Sequence, residues 1–102
     1  MRVLTVCAGA VCRSVAMALV LKSKSHDAIA LSSDWNSTDT FDMLTDWADR
    51  VVLMEPKFQG KIHFKDCKKI RICNVGPDIW KNPLNEDLLD MCWKWVNEGG
   101  LE

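Results

Sequence analysis

No strong charge of either sign marks this sequence. Its 13 Lys and Arg nearly balance 14 Asp and Glu, for a formal net charge of −1. That balance offers no broad basic face, so neither nucleic acid nor an anionic membrane is expected as a partner. No apolar run reaches the length needed to cross a bilayer. Strand-like residues begin at Arg2, which leaves no room for a charged and then apolar leader, so a cytoplasmic location is expected. Repeats, low-complexity tracts and linkers are missing too. Paired metal-ligand spacings are also lacking. Cys67 and Cys73 form no close two-residue pair, and His26 and His63 have no partners at ligand spacing, so neither zinc nor any other cofactor is expected. The five cysteines are odd in number, which argues against a disulfide framework and for free thiols.

What is present is a chain of 102 residues, 48% hydrophobic, long enough for one modest core. A single domain over residues 1–98 is expected. Gly99-Gly100-Leu101-Glu102 follows neither helical nor strand logic and reads as a tail of the kind cloning leaves behind. Arg2 to Val6 reads as a buried strand, and Ser14 to Lys24 as a helix with Val15, Ala18, Leu19 and the stem of Lys22 inward. Ala28 to Leu31 is a second strand. Ser37 or Thr38 caps a helix to Ala48, with Phe41, Leu44, Trp47 and Ala48 on one face. Arg50 to Met54 is a third strand, Pro56 opens a short helix to Lys61, and Ile70 to Val75 is a fourth strand. Asn85 caps a last helix to Asn97, with Leu88, Leu89, Cys92 and Trp95 or Val96 inward. Strands alternating with helices predict an α/β fold of three layers. Its four-stranded parallel sheet has the flavodoxin-like order 2-1-3-4. Ligands of such sheets bind at the carboxyl ends of the strands, beside the switch point. The loop after the first strand lies there.

That loop runs Cys7-Ala8-Gly9-Ala10-Val11-Cys12-Arg13-Ser14. Gly9 allows close backbone approach, and the other intervening side chains are small or modest. Such a segment can curl its N–H groups inward as an anion nest, with a helix N-terminus adding donors and positive charge. Arg13 can grip two phosphate oxygens at once. Cys7 stands at the centre of this field, which favours its thiolate. Ser14 can donate its hydroxyl to the sulfur. The expected phosphate-binding set is therefore Ala8, Gly9, Ala10, Val11, Cys12, Arg13 and Ser14, with Cys7 as nucleophile.

Val6 through Ser14 resembles the signature of the low-molecular-weight protein tyrosine phosphatases, and is most similar to short bacterial and phage-type relatives. Trp47 through Glu55 resembles their third-strand region, and Gly76 through Asp90 their acid loop and last helix. The resemblance implies a phosphotyrosine phosphatase I-like fold and a cysteinyl-phosphate mechanism acting on phosphotyrosine or another aryl phosphate. In it Cys7 attacks phosphorus, Arg13 and the loop amides hold the equatorial oxygens, and an aspartate of a late loop moves the proton.

The chain departs from the pattern at Ala10, where the family usually has Asn, and at Val15, where it usually has Pro. Asp78, in Pro77-Asp78-Ile79-Trp80, is the expected general acid, kept protonated by burial beside Trp80. Trp35 and Trp80 are expected to wall a pocket for the aryl ring. Two other functions share this loop. One is a thioredoxin-coupled arsenate reductase with Cys67 and Cys73 as resolving thiols. The other is a weakly active or inactive phosphate-loop binding module.

Overall fold

The computed structural model describes residues 1–9, 12–34, 36–61 and 67–102, with the side chains at 61 and 67 excepted. Four strands form one sheet: β1 (Arg2–Cys7), β2 (Asp27–Ser32), β3 (Arg50–Leu53) and β4 (Ile70–Ile72). All pairings are parallel and the order is β2-β1-β3-β4, as expected. The connecting helices are α1 (Arg13–Ser23) and α2 (Thr38–Trp47), and α3 (Glu86–Asn97) follows β4. The chain steps one way from β1 to β2, then back across β1 to β3. Right-handed crossovers put α1 and α2 on opposite faces of the sheet, and α3 packs against α1. This gives the three layers.

The central strand is closed on both faces. Val3, Leu4, Thr5 and Val6 are all fully buried, as are Val51, Val52 and Leu53 beside them. Such strands need apolar, β-branched residues without alternation, and both supply them. The expected caps are in place. Ser37 Oγ accepts from the Thr40 N–H at 3.2 Å, and Asn85 Oδ1 from the Leu88 N–H at 3.2 Å.

Three expectations need correction. The inner face of α1 consists of Ala16, Met17, Ala18, Val20 and Leu21, whereas Leu19 and Lys22 are exposed and Val15 is half-buried. Val15 through Leu21 is apolar without interruption, so its pattern has no phase to read. β4 ends at Ile72, short of Val75. The backbone beyond it still follows β3, with Cys73 N–H on Leu53 O at 2.9 Å and Val75 N–H on Met54 O at 3.2 Å. Residues 99–102 do not stand apart from the domain. Leu101 is buried in the core, its carbonyl accepts from Arg50 Nε at 2.8 Å, and the Glu102 carbonyl accepts from Arg71 Nη2 at 2.8 Å. Gly100 permits this return, because a Cβ there would meet Trp95 Cε2 at 2.3 Å.

Leu101→Ala should therefore destabilise the domain by about 2–3 kcal/mol, as a buried leucine does, when followed by urea denaturation. An unchanged midpoint would mean that the tail adds nothing to the fold.

Candidate active site

Cys7 is the last residue of β1, and α1 begins six residues later at Arg13. The N-cap residue of α1, Cys12, makes no side-chain cap bond. The sulfur of Cys7 takes that place instead. The Ser14 N–H, one of the helix's unpaired first-turn donors, points at Cys7 Sγ at 3.4 Å. The Cys7 thiol lies 3.1 Å from Ser14 Oγ and donates to it. With a thiolate the hydroxyl would turn and donate instead. Thr5 Oγ1 pins the junction from below, donating to Ser14 O at 2.7 Å. Cys7 is 2% exposed, so these contacts are shielded from water. β2 supports the start of the loop, with the Ser33 N–H on Cys7 O at 2.8 Å and Ser32 Oγ on Ala8 O.

Arg13 is buried as well. Its Nη1 donates to Glu55 Oε1, directly after β3, and to Gly76 O at 2.9 Å, in the loop after β4. The Phe58 ring lies against the guanidinium at 5.4 Å. Arg13 Nε is buried with no hydrogen-bond partner among the described residues. Gly76 has φ +77, a left-handed turn that a side chain would strain. Glu55, Phe58 and the Gly76 carbonyl were not singled out as site groups from the sequence. The readable signal for Glu55 was its place: a carboxylate just past a buried strand, at the sheet edge where Cys7 ends β1.

Cys12 is buried, and burial pushes its thiol up. The negative charge of Asp78 and that of Cys7 push the same way, and Arg13 opposes them. Asp78 thus lies within electrostatic reach of the first loop, two residues beyond the carbonyl that Arg13 holds. It is exposed, however, so the expected burial beside Trp80 is not realised. Trp80 is half-buried against the core, with its indole N–H buried and unpartnered among the described residues. Ala10, Val11, Trp35 and His63, and the side chain of Cys67, lie outside the described residues.

Cys73 is buried, and its thiol shares a hydrogen bond with Cys92 of α3. That bond and burial drive its pKa far above the ordinary thiol value. A thiol so held is a poor resolving nucleophile. A hollow of about 560 Å³ opens at the opposite sheet edge between Lys22, His26, Asp27 and Trp47. No cysteine lines it, and it lies away from the carboxyl ends of the strands where Cys7 stands.

A parallel sheet ordered β2-β1-β3-β4, with helices on both faces and a charged junction at its carboxyl edge, defines a flavodoxin-like fold of the phosphotyrosine phosphatase I-like kind. A crystal structure of the tyrosine phosphatase AmsI of Erwinia amylovora shares this fold. The TM-score is 0.69 over 95% of this chain and 91% of that one, at 18% identity. No protein-family model matches the chain, and no curated protein does.

Cys7 and Cys12 sit at the two ends of one short loop, and both are free thiols. Mild peroxide should convert Cys7 to a sulfenic acid, whose sulfur the Cys12 thiol attacks, forming the S–S bond as the S–O bond breaks and the oxygen leaves as water. Peptide mass spectrometry should show a Cys7–Cys12 link that dithiothreitol reverses. Recovery of Cys7 only as sulfinate or sulfonate would refute this pairing.

Proposed function

We propose that this protein is a phosphate-monoester hydrolase of the low-molecular-weight tyrosine phosphatase type, acting through a cysteinyl-phosphate intermediate. One observation carries the reading. The Cys7 sulfur caps the N-terminus of α1 beside a buried arginine whose Nε–H has no partner among the described residues. Helix donors and a cation around a thiol favour the thiolate and bind a dianion. The fold shared with AmsI supports the same reading.

In this scheme the Cys7 thiolate forms the S–P bond as the P–O bond to the leaving group breaks. Arg13 and the loop N–H groups stabilise the equatorial oxygens, the main requirement in phosphoryl transfer. Asp78 protonates the departing oxygen. It then takes a proton from the water that attacks phosphorus and breaks the S–P bond. The Ser14 hydroxyl receives the thiolate as it leaves. The scheme balances without a cofactor. A phenolic leaving group fits a single carboxylic acid as proton donor, so phosphotyrosine or a related aryl phosphate is the proposed substrate, and the cytosol the proposed setting. Asp78 is proposed over Glu55 because the Glu55 carboxylate is engaged by Arg13 and, at 3.6 Å, by Lys57 Nζ. The reductase reading gains no support from Cys73, which is paired with Cys92.

Hydrolysis of para-nitrophenyl phosphate should vanish in Cys7→Ser and fall by about 10²–10³-fold or more in Arg13→Ala. Full turnover in Cys7→Ser would sink the mechanism. Asp78→Asn should slow phenyl phosphate, a poor leaving group, by about 10²–10⁴-fold, and para-nitrophenyl phosphate much less. Equal rates for wild type and Asp78→Asn on phenyl phosphate would place the acid elsewhere. Phosphate binding with no turnover in the wild type would make the protein a binding module.

A further inference from the structure

We propose that Glu55 is the positioning residue for Arg13, holding the guanidinium by Nη1 so that its Nε–Nη2 edge is presented to the phosphate. The proposal rests on the phosphatase reading of the site.

A guanidinium offers two bidentate edges, Nη1 with Nη2 at its end and Nε with Nη2 at its side, and either can match two phosphate oxygens. The structure divides these edges. Nη1 is fully occupied, by Glu55 Oε1 and by Gly76 O at 2.9 Å. Nε is buried and unpartnered among the described residues. Phe58 covers one face of the plane at 5.4 Å and limits its rotation. Buried donors in folded proteins are nearly always paired, so an open Nε–H beside a nucleophile marks where an acceptor belongs.

Glu55 is well placed for the task. Its side chain is 13% exposed, and Lys57 Nζ stands 3.6 Å from the same oxygen. The preceding residue is tied to the central strand, with the Met54 N–H on Val6 O at 3.0 Å. The carboxylate thus hangs one residue beyond a backbone bond to the central strand. A carboxylate that mimicked the phosphate and blocked the site would sit on the Nε edge. Glu55 sits on the other, which makes it a clamp and not a plug.

The test is calorimetric titration of the protein with orthovanadate and inorganic phosphate, alongside steady-state hydrolysis of para-nitrophenyl phosphate. Glu55→Gln should weaken vanadate binding by about tenfold or more, and should lower kcat more than it raises KM. In an Arg13→Lys background, which has no Nε edge to orient, the same substitution should change vanadate affinity by about twofold or less. Equal losses in both backgrounds would show a merely structural role and overturn the proposal. Tighter vanadate binding in Glu55→Gln would make Glu55 a plug and overturn it as well. Should Glu55→Gln fail to fold, a crystal structure of the wild type with vanadate decides. Glu55 retained on Nη1, with vanadate on Nε, is the expected result, and Glu55 displaced by the ion overturns it. Wild type that neither binds these anions nor hydrolyses the ester overturns the phosphatase reading itself. That failure shows in the wild type, before any variant is made.

Discussion

Arg13 carries a permanent charge into a place where only 2% of the residue meets solvent. An unpaired charge there would cost several kcal/mol or more, so the surroundings must answer it. They do so with groups from three parts of the chain. Glu55 comes from the end of β3, Phe58 from the short helix after it, and the Gly76 carbonyl from the loop after β4. The left-handed turn at Gly76 presents that carbonyl. One buried cation therefore binds the carboxyl edge of the sheet together. The loop that carries Asp78 is held to the loop that carries Cys7 by the side chain expected to meet the phosphate.

The same edge distributes charge unevenly. Glu55 pairs with Arg13, so a carboxylate offsets part of the guanidinium's field at this edge. Beside Cys7 itself stands the N-terminus of α1, with the Ser14 N–H pointing at the sulfur and the Ser14 hydroxyl 3.1 Å from it. Those donors are fixed by Thr5 from within β1 and need no rearrangement when charge develops. In the proposed mechanism Arg13 is left to act on the phosphate oxygens. The nucleophile and the anion are served by separate donors, which keeps both interactions available in one small site.

Local grammar made much of this legible in the sequence. Ser37 and Asn85 announced their helices because their side chains satisfy first-turn donors, and β1 and β3 announced themselves as apolar, β-branched runs. The strand before Cys7 and the helix from Arg13 were both legible, which put Cys7 and Arg13 at one strand–helix junction. The inner face of α1 was not legible, since a helix that is apolar from Val15 to Leu21 has no polar stripe to set its phase. The place of Leu101 depended on a close approach between Gly100 and the Trp95 ring, a tertiary fact with no local sign. Glu55 was hidden for a similar reason. Its partner is 42 residues away, and neither residue's neighbours in the chain reveal the pairing.

Fold alone does not decide among chemistries, because one α/β sheet can host many. The decision rests on where the thiols and carboxylates fall around Cys7. The relay reductase reading needs Cys67 and Cys73 delivered to the first loop as its resolving thiols. Cys73, directly after β4, instead faces Cys92 in the core, where burial and their shared hydrogen bond push its pKa up. A hydrolase needs only a proton donor reaching the leaving group from the side opposite the sulfur. In the proposed mechanism, Asp78, an exposed carboxylate two residues beyond Gly76, meets that need, because a bound substrate would itself cover the carboxylate. Exposure of Asp78 in the free protein is thus compatible with acid catalysis in the complex, where an aryl ring would displace the water around it.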